Sequence, residues 1–297
     1  FYGCEGLETL TFAPGSQLSK LGSVDSIAAL PLSGKYIFAN TTSLKKVILP
    51  ENLTTIGISC FENSSVAEIT LPNTVASIGA RAFMNCDNIV DAGLSANLRY
   101  LGDEAYRDCA NLEVADLNFG LEYLGARAFA YCVKLKNAYI PATVTQIAGN
   151  PFLGCTGVES FVLDSDNVDL RVVDGVLYDA TMYTLIYYPA SLTAEAFELP
   201  EEVYEIAPGA FAGAQLKNFT VPTRIREIPA NAFQGSKLES ITFHDGITSV
   251  GDYAFEGCDN LNNVNILGNI TTLGDYAFAN CTSLNNFVFA ENESGYS

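Results

Sequence analysis

Tryptophan is absent from these 297 residues, histidine occurs once, at His244, and 15 lysines and arginines face 34 aspartates and glutamates, a formal charge of −19. Each shortage closes off a class of function. A surface that negative repels phosphate backbones and anionic lipid heads, which argues against nucleic-acid and direct membrane binding. A single histidine leaves little material for a catalytic base or a zinc site. No run of eighteen apolar residues is available to span a bilayer, and no basic stretch followed by an apolar core opens the chain. What the sequence does have is apolar material: 48% of its residues are hydrophobic, enough for a globular protein with a sizeable core.

The aromatic residues recur on a fixed spacing. The ring of an Ala-Phe phrase falls at Phe38, Phe61, Phe83, Tyr106, Phe129 and Phe152, then at Phe211, Phe233, Phe255 and Phe278, with gaps of 23, 22, 23, 23, 23, 59, 22, 22 and 23 residues. Upstream of many rings stands a phrase such as Val75-Ala-Ser-Ile78-Gly79. Downstream comes an L-x-x-L-x-L spacing, as at Leu135, Ala138 and Ile140, often closed by proline. Such a period marks stacked coils, none of which can bury its apolar side alone. Side chains alternate along an extended segment, so Val47 and Leu49 are expected inside and Ile48 outside. One short strand per coil then builds a parallel sheet, and proline ends the strand by removing a ladder donor. The glycine before the Ala-Phe phrase permits a bend, and the ring fills the interior.

Phe1 begins the same phrase, with Cys4, Leu7, Leu10 and Phe12 following. One repeat domain over 1–297, starting within a repeat, is therefore expected. Two stretches break the period. Residues 16–34, rich in serine, glycine and alanine, read as a loop insert. Residues 164–196 read as an extended repeat with a β-hairpin, made of the β-prone runs 171–178 and 183–189.

Eight cysteines invite a disulfide or metal reading. Seven of them, Cys4, Cys86, Cys109, Cys132, Cys155, Cys258 and Cys281, stand three residues after a repeat ring, where other coils have Thr41, Ser64, Ala214 or Ser236. The slot calls for a compact residue, and free cysteine behaves as a small hydrophobe. Coils about 4.8 Å apart would hold neighbouring Cβ atoms beyond the usual disulfide separation. Reduced, buried thiols are expected, and no metal.

The phrases L-x-x-I-x-L-P and I-G-x-x-A-F-x-x-C, as in Val66-Ala-Glu-Ile-Thr-Leu-Pro72 and Ile78-Gly-Ala-Arg-Ala-Phe-Met-Asn-Cys86, resemble the BspA-like leucine-rich repeat family of bacterial and protist surface proteins. The resemblance covers essentially the whole chain. It implies a leucine-rich-repeat solenoid, a right-handed α/β-type superhelix. Short parallel strands would line one face and short helical or irregular turns the other, with one β-hairpin insert. It also implies secretion, cell-surface display and adhesion to host matrix proteins, and it brings no shared set of ligand-contacting residues.

Catalysis finds little support. His244 sits in Phe243-His-Asp-Gly246, a turn phrase, with no G-x-S-x-G nucleophile motif. The cysteines occupy scaffold slots, Asp164, Asp166 and Asp169 read as a solvated loop, and no phosphate-binding loop or other cofactor motif occurs. Binding is the better use of the surface. Outward strand positions, among them Thr70, Asp116, Tyr139, Val162 and Thr220, form a flat, mixed row suited to an extended protein or glycan, with Tyr139 as the anchor-like member. Tyr183, Tyr187 and Tyr188 either pack the hairpin or form a ligand-facing patch. The expected function is a non-enzymatic, exported or cell-surface adhesion or binding protein. The alternative is an architectural spacer that displays another domain of a longer protein.

Overall fold

Parallel strands one coil apart carry the sequence period. The computed structural model describes residues 1–23, 35–117 and 119–289, so residues 24–34 of the 16–34 insert lie outside the described part. The chain forms two units, Phe1–Asp169 and Leu170–Ser297. In the first, Thr9–Thr11, Lys46–Ile48 and Glu68–Thr70 pair in parallel, with Leu10, Val47 and Ile69 in register. Val47 is buried between exposed Lys46 and Ile48, as a half-buried strand requires. A second parallel row joins Lys20–Leu21, Thr55–Ile56, Ser77–Ile78, Tyr100–Leu101, Tyr123–Leu124 and Gln146–Ile147. In the second unit the main row runs Ala196–Phe197, Asn218–Phe219, Ser240–Phe243, Asn263–Ile266 and Asn286–Phe289, and a shorter row joins Glu227–Ile228, Ser249–Val250 and Thr272–Leu273.

The turns differ from expectation. Among the described residues there is no helix, so the α/β description and the helical turns give way to a parallel β-solenoid of stacked coils. The reason lies in the backbone around most of the rings. Two residues before and two after such a ring, the chain is left-handed: Arg81 and Asn85 (φ 57° each) flank Phe83, and Glu104 (φ 57°) and Asp108 (φ 58°) flank Tyr106. This geometry aims alternate N–H groups at the next coil. Arg81, Phe83 and Asn85 donate to Asp103 O, Ala105 O and Arg107 O at 2.9, 2.8 and 2.9 Å, while Ala82, Met84 and Cys86 donate within their own coil. A helix would return every such bond along its own chain.

At the glycine of the Ile-Gly phrase, space is the constraint that the structure shows. A Cβ on Gly79 would lie 2.7 Å from the Ile58 nitrogen, and one on Gly57 2.6 Å from the Leu21 oxygen. Close approach of neighbouring coils, rather than a special φ, excludes a side chain there.

The rings stack face to face. Phe1, Phe38, Phe61, Phe83, Tyr106, Phe129 and Phe152 follow one another with centroids 4.9–5.8 Å apart. In the second unit Phe211, Phe233, Phe255 and Phe278 do the same at 4.9–5.2 Å. Tyr188 packs on Phe211 at 5.4 Å and its N–H donates to Ala210 O at 2.7 Å. Tyr188 is therefore a ring of the stack, one regular 23-residue step before Phe211.

The segment expected to form one hairpin contains three antiparallel strands, Leu170–Val173, Val176–Asp179 and Thr184–Tyr187. Asp174 (φ 50°) and Gly175 (φ 82°) make a two-residue turn inside what reads as a single run, the backbone that a type I′ hairpin needs. Thr184–Tyr187 then pairs in parallel with Glu205–Ile206 and so rejoins the coils of its unit.

Charged residues in the left-handed positions are tied together. Glu104 accepts from Arg81 Nε at 2.6 Å and Arg107 Nη1 at 2.8 Å. Burial alone would raise its carboxyl, but these two arginines outweigh that and hold it below its ordinary value. Phe129 is fully buried, between Tyr106 at 5.7 Å and Phe152 at 5.8 Å. Phe129→Ala is expected to cost about 3–5 kcal/mol in chemical or thermal unfolding. An unchanged melting curve would show that the ring stack contributes little.

Candidate functional site

On the strand face of the first unit Lys46, Ile48, Glu68 and Thr70 are exposed. Lys46 and Glu68 pair across strands at 2.9 Å. With Ile48, Thr70, Val90 and Gly93 they line an open groove of about 760 Å3. The row is then interrupted: only an isolated bridge joins Asp91 to Val114. Tyr106 explains the break. Its hydroxyl donates to Ala92 O at 3.2 Å, occupying an acceptor of that segment, and the neighbouring Gly93 is left-handed (φ 52°).

Beyond the break, Tyr139 and Val162 are direct cross-strand partners in the pair Asn137–Ile140 and Ser160–Leu163. Tyr139 Oη donates to Asp164 Oδ2 at 2.7 Å, which raises the phenol and lowers the carboxyl from their ordinary values. The bond fixes the Tyr139 ring, and Phe119 packs edge-on against it at 5.8 Å. Phe119 is 73% exposed and Val162 51%. Of the sequence-predicted positions, Tyr139 and Val162 thus come together. Thr70 and Asp116 are exposed elsewhere on this unit, and Thr220 is exposed on the second unit. Phe119 lies outside the alternating strand positions, so the strand pattern gave no signal for it.

Around the antiparallel strands the tyrosines divide. Tyr187 and Tyr188 are buried, which corrects their placement on an interaction surface: the ring stack and the core have taken them. Tyr183 remains exposed and stacks on Tyr204 with centroids 5.4 Å apart and rings within 13° of parallel. The two are 46% and 49% exposed. Together with Glu205, Arg224, Arg226 and Glu227 they line a groove of about 600 Å3. Arg224 is fixed by the carbonyls of Val203, Leu199 and Pro200 at 2.7, 2.9 and 2.6 Å.

The thiols prove more than compact. All eight cysteines are free. Cys86, Cys109 and Cys132 donate S–H to the carbonyls of Phe61, Phe83 and Tyr106, each at 3.1 Å, and Cys155 to that of Phe129 at 2.9 Å. Each thiol thereby satisfies a ring-residue carbonyl of the preceding coil, a weak but directional bond. Burial pushes Cys86 and Cys155 up to about 12, so thiolate, the reactive form, is scarce. His244 is a turn residue: Nδ1 accepts from Gly246 N at 3.0 Å and Nε2 meets Ile225 O at 3.1 Å. Both ring nitrogens are spent on local structure.

No curated protein matches this sequence significantly. A family model described as a BspA type leucine rich repeat region matches residues 33–159 and 186–295, in six copies. Among solved structures, the chain is similar to a leucine-rich repeat protein from Eubacterium ventriosum, with 21% identity, 83% of this chain and 73% of that one covered, and a TM-score of 0.68. It is similar to a leucine rich cell surface protein from Faecalibacterium prausnitzii, with 25% identity, 96% and 88% covered, and a TM-score of 0.63. It also matches the pneumococcal vaccine antigen PcpA, with 19% identity, 99% and 80% covered, and a TM-score of 0.71. Likeness at these identities speaks to the fold.

The burial pattern predicts a thiol count. A soluble disulfide reagent should label Cys4 at once and Cys281 slowly in the native protein, and the remaining six only after denaturation. Rapid native labelling of Cys109 or Cys132 would contradict the packing described.

Proposed function

This chain belongs to the BspA-type leucine-rich repeat family, and we propose that it is a non-enzymatic, exported or cell-surface protein that holds a protein partner on the strand face of its first unit. Extracellular placement draws support from the Faecalibacterium relative, described as a cell surface protein. The observation that carries the binding reading is Phe119: a large aromatic, 73% exposed, braced against a tyrosine whose hydroxyl is itself fixed. A large aromatic left exposed yet held in place in this way is a ready anchor, and such anchors dominate protein interfaces. Asp164, which accepts from the Tyr139 hydroxyl, lies beside it, favouring a partner with a basic residue next to an apolar centre. Host extracellular-matrix proteins are the partner class that the family resemblance suggests.

Binding of the 297-residue chain to immobilised matrix proteins would be measured by interferometry. Phe119→Ala and Tyr139→Ala are each expected to weaken it at least tenfold, about 1.4 kcal/mol or more, with cooperative melting intact. Full binding by both variants would move the partner site elsewhere. No binding by the folded chain to any matrix protein would favour a spacer that displays another domain.

A further inference from the structure

We propose that the groove lined by Tyr183, Tyr204 and Arg226 in the second unit takes a neutral sugar residue of a glycan. The proposal rests on the reading of the chain as a binding module and gives that module a second site with its own ligand class.

The protein carries −19, yet this groove is lined by two guanidiniums, Arg224 and Arg226, and two carboxylates, Glu205 and Glu227. Their formal charges cancel, so neither an anionic nor a cationic ligand gains from the local balance. Arg224 keeps its place through three backbone carbonyls. Arg226 makes one long bond, 3.4 Å to Gly246 O, and no ion pair joins either arginine to Glu205 or Glu227 among the described residues. The groove therefore offers donors and acceptors whose hydrogen-bonding capacity the fold has not used.

Tyr183 and Tyr204 form a half-exposed apolar rib at the groove, and neither hydroxyl is hydrogen-bonded among the described residues. Another stacked pair, Tyr100 and Tyr123 at 4.7 Å, differs: the Tyr123 hydroxyl is tied to Asp103 at 3.2 Å. A volume of about 600 Å3 falls within the range of small-ligand sites, about 300–1,000 Å3.

A sugar matches this combination. Its C–H face suits an aromatic surface, and each hydroxyl both donates and accepts, so carboxylate and guanidinium can be satisfied together. A proline-rich peptide would use the tyrosines but would leave Glu205, Glu227 and Arg226 covered without partners, which is costly.

The test is an array of neutral gluco-, manno-, galacto- and N-acetylhexosamine oligosaccharides probed with the labelled 297-residue chain, with calorimetry on the best ligand. Saturable binding is expected, at least tenfold weaker in Tyr204→Ala and Arg226→Ala, with cooperative melting intact. Tyr183→Phe, which keeps the rib and loses one free hydroxyl, should bind more tightly than Tyr204→Ala, and Phe119→Ala should bind as wild type. Should Tyr204→Ala fail to fold, Arg226→Gln carries the test. The proposal is overturned if the folded chain retains no neutral oligosaccharide, if retention survives Tyr204→Ala and Arg226→Ala, or if a proline-rich peptide array is bound instead. Loss of the glycan result with matrix-protein binding intact would remove this site alone; absence of both would remove the binding-module reading.

Discussion

Alternate backbone N–H groups handed from one turn to the next are the constraint on which the rest of this structure depends. Once Arg81, Phe83 and Asn85 donate to the following coil, the coils must lie one hydrogen-bonded rung apart. Rings at that spacing stack, as Phe83 and Tyr106 do at 4.9 Å. In most coils the bonds come with left-handed residues two positions on either side of the ring; they leave no room for a Cβ at Gly79 and set a small residue three positions after the ring. No coil could satisfy its polar backbone alone, and buried N–H and C=O groups must be paired. Stability is therefore shared between neighbours, as in other solenoids.

Much of this was legible in the sequence. The ring period located the coils, and the L-x-x-L-x-L spacing located the strands, because both are core positions whose side chains cannot vary freely. The turns were not legible as helix-free. The left-handed position after the ring is held in most coils by Asn or Gly, as at Asn40, Asn63, Asn85, Gly154 and Gly213, or by Asp108, residue types that tolerate that backbone, with Tyr131 the exception, and this row was the available signal. The position before the ring obscures it, since Arg81, Glu104, Arg127 and Tyr253 have no such preference and are held there by inter-coil bonds. Tyr188 was hidden among other tyrosines, although its 23-residue distance from Phe211 marks it as a ring. The thiol ladder was missed because a slot shared by Cys, Ser, Thr and Ala suggests size, whereas three of those four can also donate to a carbonyl.

The candidate surfaces were the least legible part, for a physical reason. Tyr139 and Val162 stood out as outward strand positions, and the structure pairs them. Phe119 and Tyr204 belong to no alternating strand, and what makes them notable is a contact across coils, to Tyr139 and Tyr183. Scaffold residues repeat and so announce themselves. Residues free to serve a partner are those the repeat does not specify.

Native-state hydrogen exchange of the 297-residue chain tests the central claim most directly. If inter-turn bonds hold the coils, the amides of Phe61, Phe83 and Tyr106, which donate across coils at 2.7–2.8 Å, should be among the slowest to exchange, at the rate set by unfolding of the whole unit. Asp116, at the interrupted strand row, should exchange far faster. Exchange of the ring-residue amides as fast as that of Asp116 would contradict the account.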